Sequence, residues 1–159
     1  EGLGWVNIDS QRPNALVREW LEFGPTEFSG LTLIKQEHTY GSSRFDFYME
    51  RGNEKILMEV KGVTLEIDGI GYFPDAPTER GVKHIRELVK AHKEGYESYI
   101  AFVIQMNGIS EVRANVDTHK EFGEALEEAK RAGVKVIMLE CSVGEDEIRI
   151  HFGGTEYGN

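Results

Sequence analysis

Residues 43–61 read SRFDFYMERGNEKILMEVK, and the fold follows from how this stretch turns back on itself. Residues alternate in character on both sides of Gly52-Asn53. Before the turn, Phe45, Phe47 and Met49 point one way and Arg44, Asp46 and Tyr48 the other. After it, Ile56, Met58 and Val60 oppose Leu57, Glu59 and Lys61. Period-two alternation around a Gly-Asn pair is the signature of an antiparallel hairpin. A turn in which Arg51 faces Glu54 and a four-residue loop closed by Glu50 and Lys55 give the same register. In it Asp46 faces Glu59, and Arg44 faces Lys61.

That register sets two carboxylates side by side, with Cβ atoms roughly 4.5–5.5 Å apart. Facing like charges destabilise a sheet unless something compensates them. A divalent cation such as Mg²⁺ or Mn²⁺ does so, because hard ions take carboxylate oxygens as ligands. Lys61 lies two residues beyond Glu59 on the same face. Its ammonium is placed to steady an attacking water or the charge that develops on a phosphate. The spacing Asp46…Glu59-Val60-Lys61 resembles the D…(D/E)xK site of metal-dependent nucleases. An ExK triplet is common on strands, so a plainer reading stands beside this one. In it Lys61 and Arg44 simply neutralise Asp46 and Glu59 on a solvated face.

The chain has 159 residues, enough for one domain with a substantial core. Its 18 basic and 28 acidic residues leave a net charge of −10. That excess opposes a simple polyanion binder, so contact with nucleic acid requires a local basic surface, a bound metal or another domain. No apolar run approaches the roughly 18 residues of a membrane span, and no membrane role is expected. There is no signal-peptide pattern. The single Cys141 excludes an intramolecular disulfide, fits a reducing, cytoplasmic compartment and is read as core packing. The chain opens on Glu1, and residues 5–8 read as a strand from inside a fold, so a preceding segment is expected.

Around the hairpin the pattern is α/β, with a mixed central sheet flanked by helices. A first helix runs from Pro13-Asn14 to Gly24-Pro25, with Leu16, Val17, Trp20 and Leu21 inward and Glu19 off that stripe. Residues 31–37 read as a strand. A loop through residues 72–77 leads to a second helix over 78–94, with Val82, Ile85, Leu88 and Val89 buried. Its polar residues include Arg80, Lys83, His84, Arg86, Lys90 and Lys93, diluted by Glu79, Glu87 and Glu94. Asp75 is read as a cap near its start, with a third metal-site carboxylate as the alternative. Residues 98–105 (SYIAFVIQ) are almost continuously apolar, as in a central strand buried on both faces. A strand at 109–114 follows. Thr118 and Glu121 form a capping box for a third helix, which turns Phe122, Ala125, Leu126 and Ala129 inward. Residues 134–141 are a strong strand, 147–152 an edge strand, and 155–159 a frayed tail. His38, His119 and His151 are scattered and read as structural or exposed.

Three stretches together identify a family. They are Pro13-Asn14 with Leu16-Val17 and Glu19; residues 40–47 (YGSSRFDF) with 59–65 (EVKGVTL); and residues 73–84 (FPDAPTERGVKH). The chain resembles the sugar fermentation stimulation protein (SfsA) family from about Trp5 to the last strand. Pro77 is a departure, standing where a less constrained residue is expected. The resemblance implies a restriction-endonuclease-like fold and a single nuclease-like domain over residues 1–159, with the family's N-terminal OB-like domain missing from this chain. It implies DNA binding without strong sequence preference and a link to the regulation of sugar (maltose) use. In the nuclease class a helix glutamate, the hairpin aspartate and the ExK pair build the metal site. Those roles fall on Glu19, Asp46, Glu59 and Lys61 as catalytic residues, with Glu19, Asp46 and Glu59 as ligands of Mg²⁺ or Mn²⁺. Arg44, Arg80, Lys83 and His84 become the DNA contacts, or else Arg80 and His84 lock the loop at 73–78. Glu37 is a more distant partner of the site. The expected activity is that of a metal-dependent DNA endonuclease. Its alternative is a non-catalytic, sequence-nonspecific DNA-binding regulator.

Overall fold

The computed structural model describes residues 11–151 and the backbone of Thr155–Glu156. The strand expected at residues 5–8 lies outside these. The hairpin forms in the expected register. Strands β2 (Ser43–Arg51) and β3 (Glu54–Val63) pair antiparallel, with Arg51 opposite Glu54 and Phe47 opposite Met58. Gly52 adopts the positive φ of 58° that the turn requires. On the outer side, β1 (Leu33–Tyr40) pairs antiparallel with β2.

Beyond β3 the sheet turns parallel. Strands β6 (Glu97–Ile104) and β8 (Lys135–Val143) follow it, and β10 (Thr155–Glu156) closes the order β1-β2-β3-β6-β8-β10. Residues 155 and 156, read as tail, are thus a short strand on β8, and β9 (Ile148–Ile150) pairs with the far end of β8. Strand β6 is covered on both faces, as its composition implies. Ile100, Phe102 and Ile104 enter one apolar cluster, and Tyr99, Ala101 and Val103 the other. A three-stranded sheet of β4 (Leu65–Ile67), β5 (Ile70–Phe73) and β7 (Val112–Ala114) stands apart.

Helix α1 (Arg12–Phe23) covers one face of the main sheet with Leu16, Val17, Trp20 and Leu21, and ends at Gly24 in the left-handed conformation. Helices α2 (Glu79–Lys93) and α3 (Lys120–Ala132) cover the other. Val82, Ile85 and Leu88 of α2 are buried there, each such side chain contributing about 1.5–3 kcal/mol. The cap of α2 is Thr78, whose hydroxyl accepts the Gly81 N–H, while Asp75 is exposed and caps nothing. The expected Thr118–Glu121 box is not formed. The α3 N-cap position is held by His119, whose Nδ1 instead accepts the Thr78 N–H and ties α3 to the start of α2.

One break in regularity positions the functional residues. Glu37 takes a φ of 57°, and the β1–β2 ladder skips the pair Glu37 and Asp46. The β2–β3 ladder likewise stops at Phe47 opposite Met58. The strand changes face at this point. Phe45, expected beside Phe47, enters the α2 side of the core, while Phe47 stays on the α1 side. With ladder pairing interrupted at Asp46, its carboxylate takes the Val60 N–H instead.

Candidate metal and phosphate site

The two acidic residues of the hairpin meet where the ladder ends. Asp46 Oδ2 accepts the Val60 N–H at 2.7 Å, and Oδ1 accepts the Asn14 side-chain amide at 3.0 Å. Its carboxyl is also coupled electrostatically to that of Glu59. Glu59 is 2% exposed, and its Oε2 receives the Lys61 ammonium at 3.1 Å and the His84 ring through Nδ1. Leu57 packs into the α2 side of the core; by strand alternation Glu59 and Lys61 point the same way, toward the first two turns of α2.

The electrostatics of the two carboxyls diverge. Burial pushes Asp46 up to about 7, and the hydrogen bond and charge of Glu59 push the same way, against the Val60 N–H and the Asn14 amide. Burial alone would raise Glu59 too. The His84 hydrogen bond, the Lys61 charge and the Asp46 hydrogen bond outweigh it and hold Glu59 at about 2. Near neutral pH Asp46 is therefore only partly ionised, while Glu59 is anionic.

These groups line an open cleft of 270 Å³ together with Pro13, Asn14, Arg44, Gly62, Thr78, Arg80 and Gly81. The cleft gathers Arg44, Asp46, Glu59, Lys61, Arg80 and His84 of the residues singled out in the sequence. It does not gather Glu19. That side chain is exposed and lines a different depression, with Arg12, Phe23 and residues 147–150. Asn14 occupies the place expected of a helix carboxylate. The two residues stand five positions apart, roughly 140° around the helix. His84, read as a DNA contact, is only 6% exposed and is engaged with Glu59. Its spacing of four from Arg80 put it on the same helix face, but nothing local marked it as the inner of the two. Lys83 lies beside the cleft, its ammonium donating to the Ser42 carbonyl at 3.0 Å. Glu37 is exposed and shapes the site only through its backbone.

The donor set is of hard oxygens. Among the described residues no group of three or more His, Cys, Asp or Glu converges, so the protein offers a cation two carboxylates. That number suits an ion that retains several waters and completes its shell with substrate oxygens. Asp46 fits this use, since a cation held by the two carboxylates would offset the desolvation and repulsion that raise its pKa.

Comparison with known proteins agrees with this architecture. Residues 11–147 match the model of the sugar fermentation stimulation protein RE domain. A sugar fermentation stimulation protein homolog of Desulfitobacterium hafniense is 55% identical over 143 residues, covering 90% of this chain and 62% of that protein. One from Clostridium beijerinckii is 54% identical over 145 residues, covering 91% and 64%. The chain thus spans less than two thirds of these relatives' length. The solved structure of Pyrococcus furiosus SfsA in complex with Ca²⁺ superposes with a TM-score of 0.83 at 27% identity, over 98% of this chain and 67% of that one. The mixed α/β architecture is that of this structural neighbour and is of the nuclease-like type. Among the described residues no helix is long and apolar enough to cross a membrane.

Proposed function

This chain belongs to the sugar fermentation stimulation protein family, and we propose that its cleft is the centre of a divalent-metal-dependent phosphodiesterase acting on DNA. One observation carries the reading. Buried Glu59 and half-buried Asp46 line one cationic cleft, where burial and the neighbouring Glu59 carboxylate raise the Asp46 pKa to about 7. The Ca²⁺ bound by the Pyrococcus furiosus relative supports a divalent ion here. In this chain Asp46 and Glu59 would hold it, with Mg²⁺ or Mn²⁺ as the working ion. Bound there, the ion supplies Lewis acidity to a phosphate oxygen and lowers the pKa of a coordinated water.

The chain's own residues supply the rest. Asp46 would release its remaining proton to solvent when a cation is held and would serve as an anionic oxygen ligand. Glu59 is already anionic at neutral pH and is fixed by His84 and Lys61. The Lys61 ammonium, 16% exposed at its side chain, faces charge that develops on the phosphate. Arg44 and Arg80 orient the phosphate from the cleft walls.

The competing reading is a DNA-binding regulator of sugar metabolism that does not cleave. It is favoured by the fact that Lys61 and His84 already satisfy Glu59 without any metal. A plasmid-nicking assay separates the two. Nicking with Mg²⁺ or Mn²⁺ that disappears in EDTA and in Asp46→Ala supports the phosphodiesterase. DNA binding without nicking under any of these conditions leaves the regulator.

A further inference from the structure

A second depression of 670 Å³ adjoins the carboxylate cleft. The two share Arg44, Arg80 and His84 in their linings and are therefore contiguous. We propose that this depression, between the Ser42–Ser43 turn and the first turn of α2, seats the phosphate next along the strand from the one at the carboxylates. The substrate is then a DNA strand engaged through at least two consecutive phosphodiesters rather than one isolated phosphodiester. The proposal rests on the phosphodiesterase reading of the neighbouring cleft.

Charge is the first argument. Arg18, Arg51, Arg86, Arg113 and Arg149 each have a carboxylate partner. Arg44 and Arg80 have none among the described residues, although the chain carries ten more acidic than basic groups. Arg80 and Lys83 stand three apart and so share a face of α2 at its positive end. Against these three cations stand Glu79 in the lining and Glu87 at its edge, which accepts the Ser42 hydroxyl at 3.1 Å. Phosphate repelled by the rest of the surface finds its favourable field here.

The second argument is independent of charge. Ser43 is 3% exposed and lines the same depression, and its hydroxyl has no hydrogen-bond partner among the described residues. Buried hydroxyls are rarely left so. A phosphate oxygen is an acceptor suited to it, and the carbonyl of the adjacent Ser42 already draws Lys83 to the rim.

The test is anisotropy of a labelled oligothymidylate across a salt series in EDTA, so that the carboxylate centre carries no metal. Wild type should bind. Lys83→Gln should lower the slope of log affinity against log salt by about 0.7, the value of one single-strand phosphate contact. Lys83→Arg should restore it, and Ser43→Ala should weaken binding without changing the slope. Proton–nitrogen NMR of the same mixture should move the amides of Ser42, Ser43 and Arg44. Unchanged affinity and slope in both Lys83→Gln and Ser43→Ala overturn the subsite even if metal-dependent nicking is found. Lys83-dependent binding in a protein that nicks nothing upholds the subsite and refutes the phosphodiesterase. Absence of binding overturns the subsite outright.

Discussion

The proton on Asp46 makes the stability of this domain sensitive to pH and metal in a direction that can be worked out. The perturbation is Asp46→Asn, which keeps the shape and an acceptor for the Val60 N–H but removes the charge. In the folded chain burial lifts the Asp46 carboxyl from 3.8 to about 7. A group whose folded pKa is raised stabilises when protonated. The ionised form therefore costs the folded state nothing below about pH 4, progressively more between 4 and 7, and its full amount above 7. The raised value corresponds to about 4 kcal/mol as an upper limit. Water on the open side of the cleft screens it, leaving about 1–3 kcal/mol. Glu59 does not confuse the comparison. Its pKa is depressed to about 2, so its contribution is complete above the ordinary 4.5 and is lost only as pH falls below that. Urea unfolding in EDTA at pH 5 and pH 8 measures the effect. Relative to wild type, Asp46→Asn should gain up to about 2 kcal/mol between the two, part of the cost being present already at pH 5. At pH 8, Mg²⁺ at a hundred times Kd should then stabilise wild type by about 2.7 kcal/mol and leave the variant unmoved. A wild-type-minus-variant difference that is flat from pH 5 to 8, or equal Mg²⁺ shifts in both, refutes the reasoning.

Other outcomes follow from the same geometry. Lys61→Ala should lower the nicking rate by about 10²–10³ while Mn²⁺ still raises the melting temperature, as scanning calorimetry would report. Glu19→Ala should alter neither metal-induced stabilisation nor nicking, since Glu19 faces a separate depression; a tenfold loss in either would return it to the site. Gly62→Ala should destabilise the fold by about 1–3 kcal/mol in urea, because its Cβ would lie 2.4 Å from Gln105 Oε1 and 2.9 Å from Pro13 Cγ. A longer chain with the expected N-terminal OB-like domain should bind DNA more tightly, with a steeper salt slope, than this acidic domain alone. Anisotropy showing equal affinity and slope would reject that expectation.

Much of the molecule is legible along the chain because its signals are local. The alternation of residues 45–60 and the Gly52-Asn53 turn set the hairpin register, as Phe47 opposite Met58 shows. The apolar run of β6 announced burial on both faces, and the stripes of α1, α2 and α3 named buried residues, save that Val89 of α2 is only partly buried. Register brings Asp46 near Glu59 but not opposite it, because the β2–β3 ladder ends at Phe47 and Met58. What periodicity does not encode is how a helix is rotated and shifted over a sheet. That rotation brings Asn14 rather than Glu19 to Asp46, and turns His84 inward onto Glu59 while Arg80 stays at the rim. Nor does it encode where a strand leaves its ladder. The left-handed Glu37 and the unpaired Asp46 depend on how three strands accommodate one another, and they send Phe45 to the opposite face. The proton on Asp46 is likewise a tertiary property, because burial supplies its largest cause and only packing creates burial. Sequence by itself determined the family, the sheet and the residue types of the site. Tertiary structure decided which of those residues share it, since that depends on contacts between elements far apart in the chain.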